Sequence, residues 1–509
     1  MSKKDDENLG SYDEMRWLFW ACFIALIATA FGFIIRTQVI ADWGVQFNLS
    51  ETQKGELFGV GLWPFAISIV LFSFVIDKIG YGKAMIFAFV CHFSSVFLLI
   101  FANGYWMLYI GTFVVSLGSG TVEAVINPVV ATMFSKQKTK WLNILHAGWP
   151  GGLVLGGLIA LGMGVDMDWR WKVGLVLIPT IIYGVMMFKR TFPVHERVQA
   201  GVSFKAMLQE AGILSAIIVV GLMVREVGRV FDWSLVTEVI VALVLLIAYG
   251  SYVRSLGRPM FFFLLLIMIP LATTELGTDS WISDLMTPVM AELGLQGGWV
   301  LVYTAFIMMV LRFFAGPIIE KFSPLGLLAI SSVIATIGLI ALSRSFGVAV
   351  FLSATLYGLG KSFFWPTMLG VVAERFPKGG ALTLNAIAGV GMLSVGVIGA
   401  AFLGNIQDKE IDRELLSTNS VLHERIVGEE KTSVFGTYRP IDQEKVVAIN
   451  DEEKSMLATI SSTAKKNALA TVAIFPVIMF ICYLILIFYF RSKGGYKPED
   501  ISEASGATT

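Results

Sequence analysis

The sequence predicts an all-α polytopic membrane protein in which two six-helix bundles form a parallel repeat. The first observation is composition: 56% of the 509 residues are hydrophobic and only 15% are charged, whereas soluble domains carry about 25% charged residues. The second is a series of apolar segments of roughly 20 residues, the length that crosses a bilayer as a helix. The third is a set of residue matches between the two halves of the chain.

Twelve segments are long and apolar enough to span a membrane. They are residues 17–41, 55–76, 84–102, 105–134, 142–164, 171–188, 261–285, 297–319, 325–343, 347–373, 381–404 and 468–490. Two weaker segments, 209–225 and 234–253, lie between the sixth and the seventh. They predict an extra pair of crossings, a 12+2 arrangement. The alternative for the first, which is short, is an amphipathic helix on the membrane surface.

The basic residues predict the orientation. Lys and Arg concentrate in the loops on the side of the N-terminus, and such loops are cytoplasmic, so both termini are expected inside, in the plasma (inner) membrane. The expected organisation is an N-terminal tail 1–16, an N-terminal bundle 17–190, a linker 191–258 with the extra helix pair, a C-terminal bundle 259–490 and a C-terminal tail 491–509. The polar insertion 405–466 is expected outside, as a small cap or a mobile loop.

Several functional classes find no support in the sequence. The 38 Lys and Arg balance the 38 Asp and Glu, so no basic excess indicates nucleic acid. Cys22, Cys91 and Cys482 lie in apolar segments without ligand spacing, which argues against a disulfide framework or zinc site. No phosphate-binding loop of the Gly-Lys-Ser/Thr type occurs. We expect no enzymatic activity, no cofactor and no metal, and a monomer whose partners are a small solute, protons and the lipid bilayer.

An internal repeat relates the two halves at nearly one offset. Asp77–Lys78 matches Glu320–Lys321, Asn143 matches Asn385, and Pro128 matches Pro366. The proline match places Glu123 opposite Lys361, and Asn127 opposite Trp365. A six-plus-six parallel repeat is one of the common transporter architectures, with the substrate bound between the halves.

Six charged residues lie well inside the predicted spans, where ionisable groups are costly and usually functional. They are Arg36, Glu123, Glu275, Asp279, Arg312 and Lys361. Glu123 belongs to the stretch Gly118–Gly157, around which the first half is organised. The alternative for such charges is a permanent buried ion pair that joins two helices.

Two loop segments carry a family resemblance. Residues 73–83, SFVIDKIGYGK, resemble the loop signature of the major facilitator superfamily, and residues 312–321, RFFAGPIIEK, resemble its second copy. Within that superfamily, EAVINP at 123–128 and GLGKSFFWPT at 358–367 are similar to motifs of the fucose:proton symporter family, as is Glu275 followed by Trp281.

The resemblance implies roles for these residues. The loop-motif residues are expected to hold one conformation closed through charge contacts: Asp77, Lys78, Gly80, Lys83, Arg312, Gly316, Glu320 and Lys321. Arg36 and Glu123 are expected to pair in the first half, and Glu275, Asp279 and Lys361 to share the second. Glu123 is then the proton-coupling residue, and its charge state depends on Arg36. His146 is a candidate proton relay; the alternative is a structural histidine.

The resemblance also implies a substrate class, a neutral sugar or polyol carried with protons by alternating access. Candidate substrate-binding residues are the aromatic Trp149, Trp281 and Trp365 and the polar Gln38, Asn127, Asn143 and Asn385. Two alternatives stay open. Arg36 and Lys361 together form a clamp for an organic anion such as a sugar acid, or the chain is a transporter-derived sensor or receptor that uses 405–466 for interaction.

Overall fold

The computed structural model describes residues 12–49, 51–164, 166–433 and 436–501. In these ranges, twelve helices are long and apolar enough to cross a membrane, or thirteen when a pair of helices bent by 70° is taken as one span. The predicted all-α polytopic fold is confirmed. Large apolar side chains such as Leu243, Ile247 and Phe488 are exposed on the outer surface, as expected for faces that contact lipid.

The first half consists of nine main helices joined by short turns. They are α1 (Tyr12–Gln46), α2 (Glu51–Gly59), α3 (Trp63–Ile79), α4 (Tyr81–Ile100), α5 (Tyr105–Met133), α6 (Lys138–Leu145), α7 (Gly148–Gly162), α8 (Trp169–Gly174) and α9 (Leu177–Met187). Three of the predicted spans are interrupted, between α2 and α3, α6 and α7, and α8 and α9. A 3-10 turn, Ser135–Gln137, precedes α6.

The connection and the second half follow. They contain α10 (Glu196–Gln199), α11 (Phe204–Val230), α12 (Leu235–Val253), α13 (Pro259–Ala272), α14 (Thr278–Ala291), α15 (Gly298–Phe313), α16 (Ala315–Phe322), α17 (Pro324–Arg344), α18 (Ala349–Lys361), α19 (Phe364–Arg375), α20 (Gly380–Ser394) and α25 (Ile474–Ser492). A π turn, Thr273–Gly277, joins α13 to α14, and a second, Val395–Ala400, follows α20.

The extra pair consists of two long helices, α11 and α12, both of which meet the length and hydropathy of a span. The first has a kink at Gly212 and still meets the length and hydropathy of a span, so the expectation of two crossings fits better than a short surface helix. Gly212 has φ +68° and Gly257 has φ +83°. A Cβ on Gly212 would overlap the backbone of Gly257, so these glycines let α11 pack directly on the chain that enters α13.

The tenth predicted span, 347–373, is divided. Helix α18 ends at Lys361 and α19 begins at Phe364, so neither part is long enough to cross alone. The eighth, 297–319, is the bent pair α15 and α16. These interruptions matter for the site because they free backbone groups inside the bundle.

The insertion 405–466 folds as a cap. Its elements are α21 (Ala401–Thr418), α22 (Ser420–Ile426), the antiparallel strands β1 (Lys431–Ser433) and β2 (Gly436–Tyr438), α23 (Gln443–Val447) and α24 (Asp451–Val472). A separate apolar core holds them together, formed by Leu415, Leu422, Ile426, Ile449 and Ile460. Of the two expectations, the structure supports the folded cap.

Candidate functional site

Glu123, Asn127 and His146 form a hydrogen-bonded row in the first half. Glu123 and Asn127 lie one turn apart on α5, on the same helix face. Asn127 donates from Nδ2 to Glu123 Oε2 at 2.6 Å, and its Oδ1 lies 2.9 Å from His146 Nε2. Because the Asn127 oxygen is an acceptor, His146 donates from Nε2. All three side chains are buried.

Arg312 connects this row to the second half. The side chain is 1% exposed, and each of its guanidinium nitrogens donates a hydrogen bond. Nη1 donates to the His146 carbonyl at 2.9 Å, Nε to the Ser362 carbonyl at 2.6 Å, and Nη2 to Glu275 Oε1 at 2.6 Å. Arg312 was expected among the loop-motif residues that hold one conformation closed. It is the central cation of the site.

Glu275 lies on the π turn between α13 and α14. Its second oxygen, Oε2, accepts a hydrogen bond from the Trp365 backbone N–H at 3.0 Å. That N–H belongs to the first turn of α19, which begins at Phe364. An N–H group in the first turn of a helix has no partner within its own helix. The break in the tenth span thus supplies a donor for a buried carboxylate, and the helix dipole favours the negative charge there.

Asp279 and Lys361 form a second ion pair in the same half. Lys361 is fully buried and its Nζ also lies 4.9 Å from the centre of the Tyr357 ring. The pairing expected within the second half is therefore present, with Arg312 as an additional member. Lys361 is therefore already neutralised in this conformation, and its role in an anion clamp together with Arg36 stays a prediction.

A small cavity lies where these groups meet. It is lined by Phe65, Glu123, His146, Trp149, Glu275, Leu276, Arg312, Trp365 and Met392. The cavity volume is about 20 Å³, roughly the space for one water molecule. Two neighbouring cavities of the same size extend toward Arg36 and toward Asp279, and Trp149 and Met392 line all three. Residues from both halves thus line this group of neighbouring cavities.

Arg36 lies apart from Glu123, and the predicted pair between them is wrong in this conformation. Glu123 takes its hydrogen bonds from Asn127 instead. The guanidinium lies over the Phe33 and Phe58 rings, 5.7 and 5.4 Å from their centres. Helix rotation explains the difference, because an approximate span boundary does not fix which face of α1 points at α5.

The predicted solute-binding residues divide into two groups. Trp149 and Trp365 line the central cavity. Asn143 instead bonds Thr367 across the halves at 3.1 Å, and Asn385 bonds the Ala124 carbonyl at 3.2 Å, so both are interface residues. Gln38 is half-buried and lines none of the three cavities. Trp281 lies outside the described side chains.

The loop motif of the first half makes the expected charge contact. Asp77 pairs with Arg197, which follows α10's first residue and was not singled out from the sequence. Lys78 lies 5.6 Å from the Phe204 ring centre, and Gly80 has φ +83° at the end of α3. Lys83 is exposed.

The second copy of the motif behaves differently. Glu320 and Lys321 are exposed, and among the residues described above neither forms an ion pair, so the expected charge contact is not found there. Gly316 instead leaves room for the Lys140 side chain of the first half, which a Cβ at this position would meet. Here the motif contributes close packing between the halves.

The halves meet directly at the end of the bundle that the sequence predicts to be cytoplasmic. Lys138 donates to the Ala373 carbonyl at 3.1 Å, and Thr139 donates from its backbone N–H to Glu374 at 3.3 Å. Asn143 and Thr367 add a buried contact one turn deeper. This end is therefore closed. Glu374 was missed in the sequence because it lies just beyond the predicted tenth span, in the last turn of α19, and belongs to no motif.

Comparison with known proteins is consistent with this geometry. The family model described as Major Facilitator Superfamily matches residues 17–400. Curated relatives include a "Protein TsgA homolog" from Buchnera aphidicola subsp. Schizaphis graminum, 23% identical over 181 residues, covering 35% of this chain and 47% of the relative. A "Cis,cis-muconate transport protein" from Acinetobacter baylyi is 23% identical over 189 residues, covering 37% and 45%. The chain spans less than half the length of these relatives.

Solved structures with the same fold cover most of the chain. The human organic anion transporter MFSD10 (TETRAN) gives a TM-score of 0.59 at 11% identity, over 92% of this chain and 99% of that one. The proton:xylose symporter XylE gives 0.57 at 12% identity, over 91% and 95%. FucP in its outward conformation gives 0.55 at 12% identity, over 92% and 99%. At such identities the likeness shows the fold alone.

Proposed function

The chain belongs to the Major Facilitator Superfamily, whose members are transporters and not enzymes, and we propose that it carries a small polar solute together with protons by alternating access. In this proposal the two bundles, 17–190 and 259–490, rock about the cavity between them, and the linker 191–258 joins them. The protein works as a monomer in the plasma (inner) membrane with both tails in the cytoplasm, as the basic loops favour.

The observation that carries the proposal is the burial of Glu123 without an ion-pair partner in the described ranges. It is a buried carboxylate, 5% exposed, at the cavity between the halves. Within the described ranges it forms no ion pair, unlike Glu275 and Asp279. A carboxylate inside a membrane protein without a bonded counter-charge is the group best suited to take up and release a proton as the cavity dries and fills.

The contacts of Arg312 suggest how a proton on Glu123 affects the other half. The charges of Glu123 and Arg312 attract each other, while Arg312 also holds Glu275 and the His146 carbonyl. Protonation of Glu123 removes one of the negative charges that hold Arg312 and leaves Glu275 as its counter-charge. The balance of contacts across the halves therefore changes with the proton, which is the requirement for coupling.

The first candidate substrate is a sugar. Trp149 and Trp365 line the cavity, and an aromatic wall with a few polar groups suits a hydroxylated ring. The sugar symporter XylE and FucP, with which the chain shares its fold, point the same way.

The second candidate is an organic anion such as a sugar acid, because Arg36 is a buried cation without a counter-charge in the described ranges. Curated relatives named for cis,cis-muconate and gentisate transport, and the fold neighbour named an organic anion transporter, agree with this class.

Proteoliposomes that contain the purified protein test the proposal. A proton gradient should drive solute accumulation in the wild type. Glu123→Gln should abolish accumulation but keep solute exchange at equilibrium, because the substituted side chain cannot release a proton. Glu226→Gln is the matched control: Glu226 is buried and pairs with Arg229 on the extra helix α11, and accumulation should persist. Full accumulation by Glu123→Gln would contradict the coupling role, and tight solute binding without any flux would indicate a sensor.

A further inference from the structure

The side chain of Arg36 is a buried cation that nothing in the described chain neutralises. It is 6% exposed, and its Nε and Nη2 have no hydrogen-bond partner. Charged groups buried in proteins are normally paired and hydrogen-bonded, because their desolvation is otherwise costly. The other two cations of the predicted set, Arg312 and Lys361, both have carboxylate partners. Arg36 therefore lacks the partner that its setting demands.

The surroundings of Arg36 are shaped to hold its guanidinium in place. The Phe33 and Phe58 rings lie against it. Gly61, in the turn between α2 and α3, allows the guanidinium to lie on the backbone, since a Cβ at residue 61 would overlap it. The position is thus fixed by packing while the donors are left free, which is the arrangement of a preorganised binding group.

Two further unused donors share its cavities. Thr112 Oγ1 and Ser116 Oγ are buried without a hydrogen-bond partner. Thr112 lines one cavity with Arg36, and Ser116 lines the neighbouring one with Arg36. A guanidinium with two hydroxyl groups provides charge and hydrogen-bond donors together, the combination that recognises a carboxylate.

We propose that Arg36, Thr112 and Ser116 form the subsite for the carboxylate of the transported solute, which makes the substrate a small monocarboxylic acid. This inference rests on the proposed transport function. The cavity at Arg36 and the cavity at Glu123 share Phe65, Trp149 and Met392. A solute held at Arg36 by its carboxylate therefore extends its uncharged part toward Trp149 and the proton site.

The charges also favour a single carboxylate. Arg312 is matched by Glu275, and Lys361 by Asp279, so Arg36 and Glu123 are the members of the predicted set left without an ion pair. When Glu123 is protonated, one negative charge bound at Arg36 brings the net charge of the six charged residues to zero. One proton and one monoanion then enter the site together without leaving a net charge in the membrane, where an uncompensated charge is expensive.

The test is binding to the purified full-length protein, measured by thermal shift and by calorimetry. The probes are lactate, gluconate and benzoate, each beside its neutral amide, with chloride as the inorganic anion. We expect at least one acid to raise the melting temperature while its amide does not. Arg36→Gln should weaken that acid by at least about 30-fold, the loss expected when one partner of a buried charge pair is truncated.

Two other variants separate binding from folding. Gly61→Ala keeps the charge but displaces the guanidinium, and should also weaken the acid. Arg229→Gln removes a partly exposed arginine paired with Glu226 and should leave the affinity unchanged. Unchanged affinity in Arg36→Gln, equal binding of acid and amide, an equal effect of chloride, or no response to any acid would overturn the proposal. Each of these results leaves sugar transport possible, whereas acid binding without flux in proteoliposomes would overturn only the transport function.

Discussion

At the scale of single residues, Arg312 is a buried cation that contacts both halves of the molecule. It bonds the His146 carbonyl of the first half and Glu275 of the second. Removing one partner of a buried pair leaves the other charge uncompensated, which is costlier than never having had the pair. Arg312 is therefore structural and electrostatic at once, and its substitution should be felt in both stability and transport.

We predict that Arg312→Met destabilises the protein by about 3–5 kcal/mol, seen as a lowered melting temperature in detergent. The double variant Arg312→Met with Glu275→Leu should recover part of this loss, because no buried charge is then stranded. Transport should stay abolished in both. A single variant as stable as the wild type would show that water reaches Glu275 and that the pair is not dry.

The burial of the site residues was predictable from the sequence, whereas their contact partners were not. The site contains Glu123, His146 and Glu275 as predicted, because an ionisable residue in an apolar helix is costly to expose to lipid and therefore lies in the protein interior. Partner choice was not predictable. Arg36 and Glu123 share a half but not a contact, since partners depend on helix rotation and rotamer, which one sequence leaves open.

At the scale of elements, the broken helices were the least predictable part. The apolar runs indicated spans, but the π turn at Thr273–Gly277 and the break between Lys361 and Phe364 have no distinctive hydropathy. Pro366 signalled a disturbance nearby. These irregularities place Glu275 against the Trp365 N–H, so the chemistry of the site depends on the least regular backbone, as is common for π turns.

A second element with a definite role is the C-terminal segment Tyr496–Ile501. Glu499 accepts hydrogen bonds from Arg258 at 3.0 and 2.7 Å and pairs with Arg375 at 2.8 Å. Tyr496 donates to Glu374 at 2.8 Å, and Glu374 also accepts from Thr139 of the first half. The segment thus fastens the beginning of α13 to the end of α19, beside the closed end of the bundle.

We predict that Glu499→Gln releases this segment. The Glu499 amide, which donates to the Glu374 carbonyl at 2.8 Å, should then exchange hydrogen faster, as measured by mass spectrometry. Substitution of the exposed Lys493 by Gln is the control and should have no effect. Protection in Glu499→Gln equal to that of the wild type would mean that the backbone and Tyr496 suffice.

The pH dependence of the same attachment follows from the charge of Glu499. Burial raises its pKa, but the hydrogen bond and charge of Arg258 and the charges of Arg375 and Lys378 outweigh burial, and the pKa lies below the ordinary 4.5. A carboxyl group whose pKa is lowered in the attached state stabilises that state at pH values above its ordinary pKa. This stabilisation is lost as the pH falls through the lowered pKa. Protection of the segment should therefore stay constant from pH 7 to 5 and fall only below about 4.5. A loss already at pH 6 would exclude Glu499 as the titrating group.

At the scale of the whole molecule, the repeat was predictable because it depends on the spacing of residues along the chain and not on the direction of their side chains. The matches at Asp77 and Glu320, and at Pro128 and Pro366, predict the two bundles from the sequence alone. The cap was less clear. Its core residues, such as Leu422 and Ile426, are scattered among polar ones, so composition alone left a mobile loop equally open. Because α21 follows the second-half helix α20 and α24 leads into α25, we expect the cap to move with the second half.

Alternating access requires the closed end to open, and a cross-link there tests it. Thr139 and Glu374 contact each other across the halves. In a background without Cys22, Cys91 and Cys482, cysteines at 139 and 374 joined by a cleavable thiol reagent should stop solute flux in proteoliposomes. Each single-cysteine variant, treated alike, should keep its flux, and reduction of the reagent should restore it in the pair. Binding of solute from the opposite side should persist, because Thr139 lies outside the three cavities. Undiminished flux in the cross-linked protein would show that the halves do not separate at this end, and rocking of the two bundles would then have to be abandoned as the transport movement.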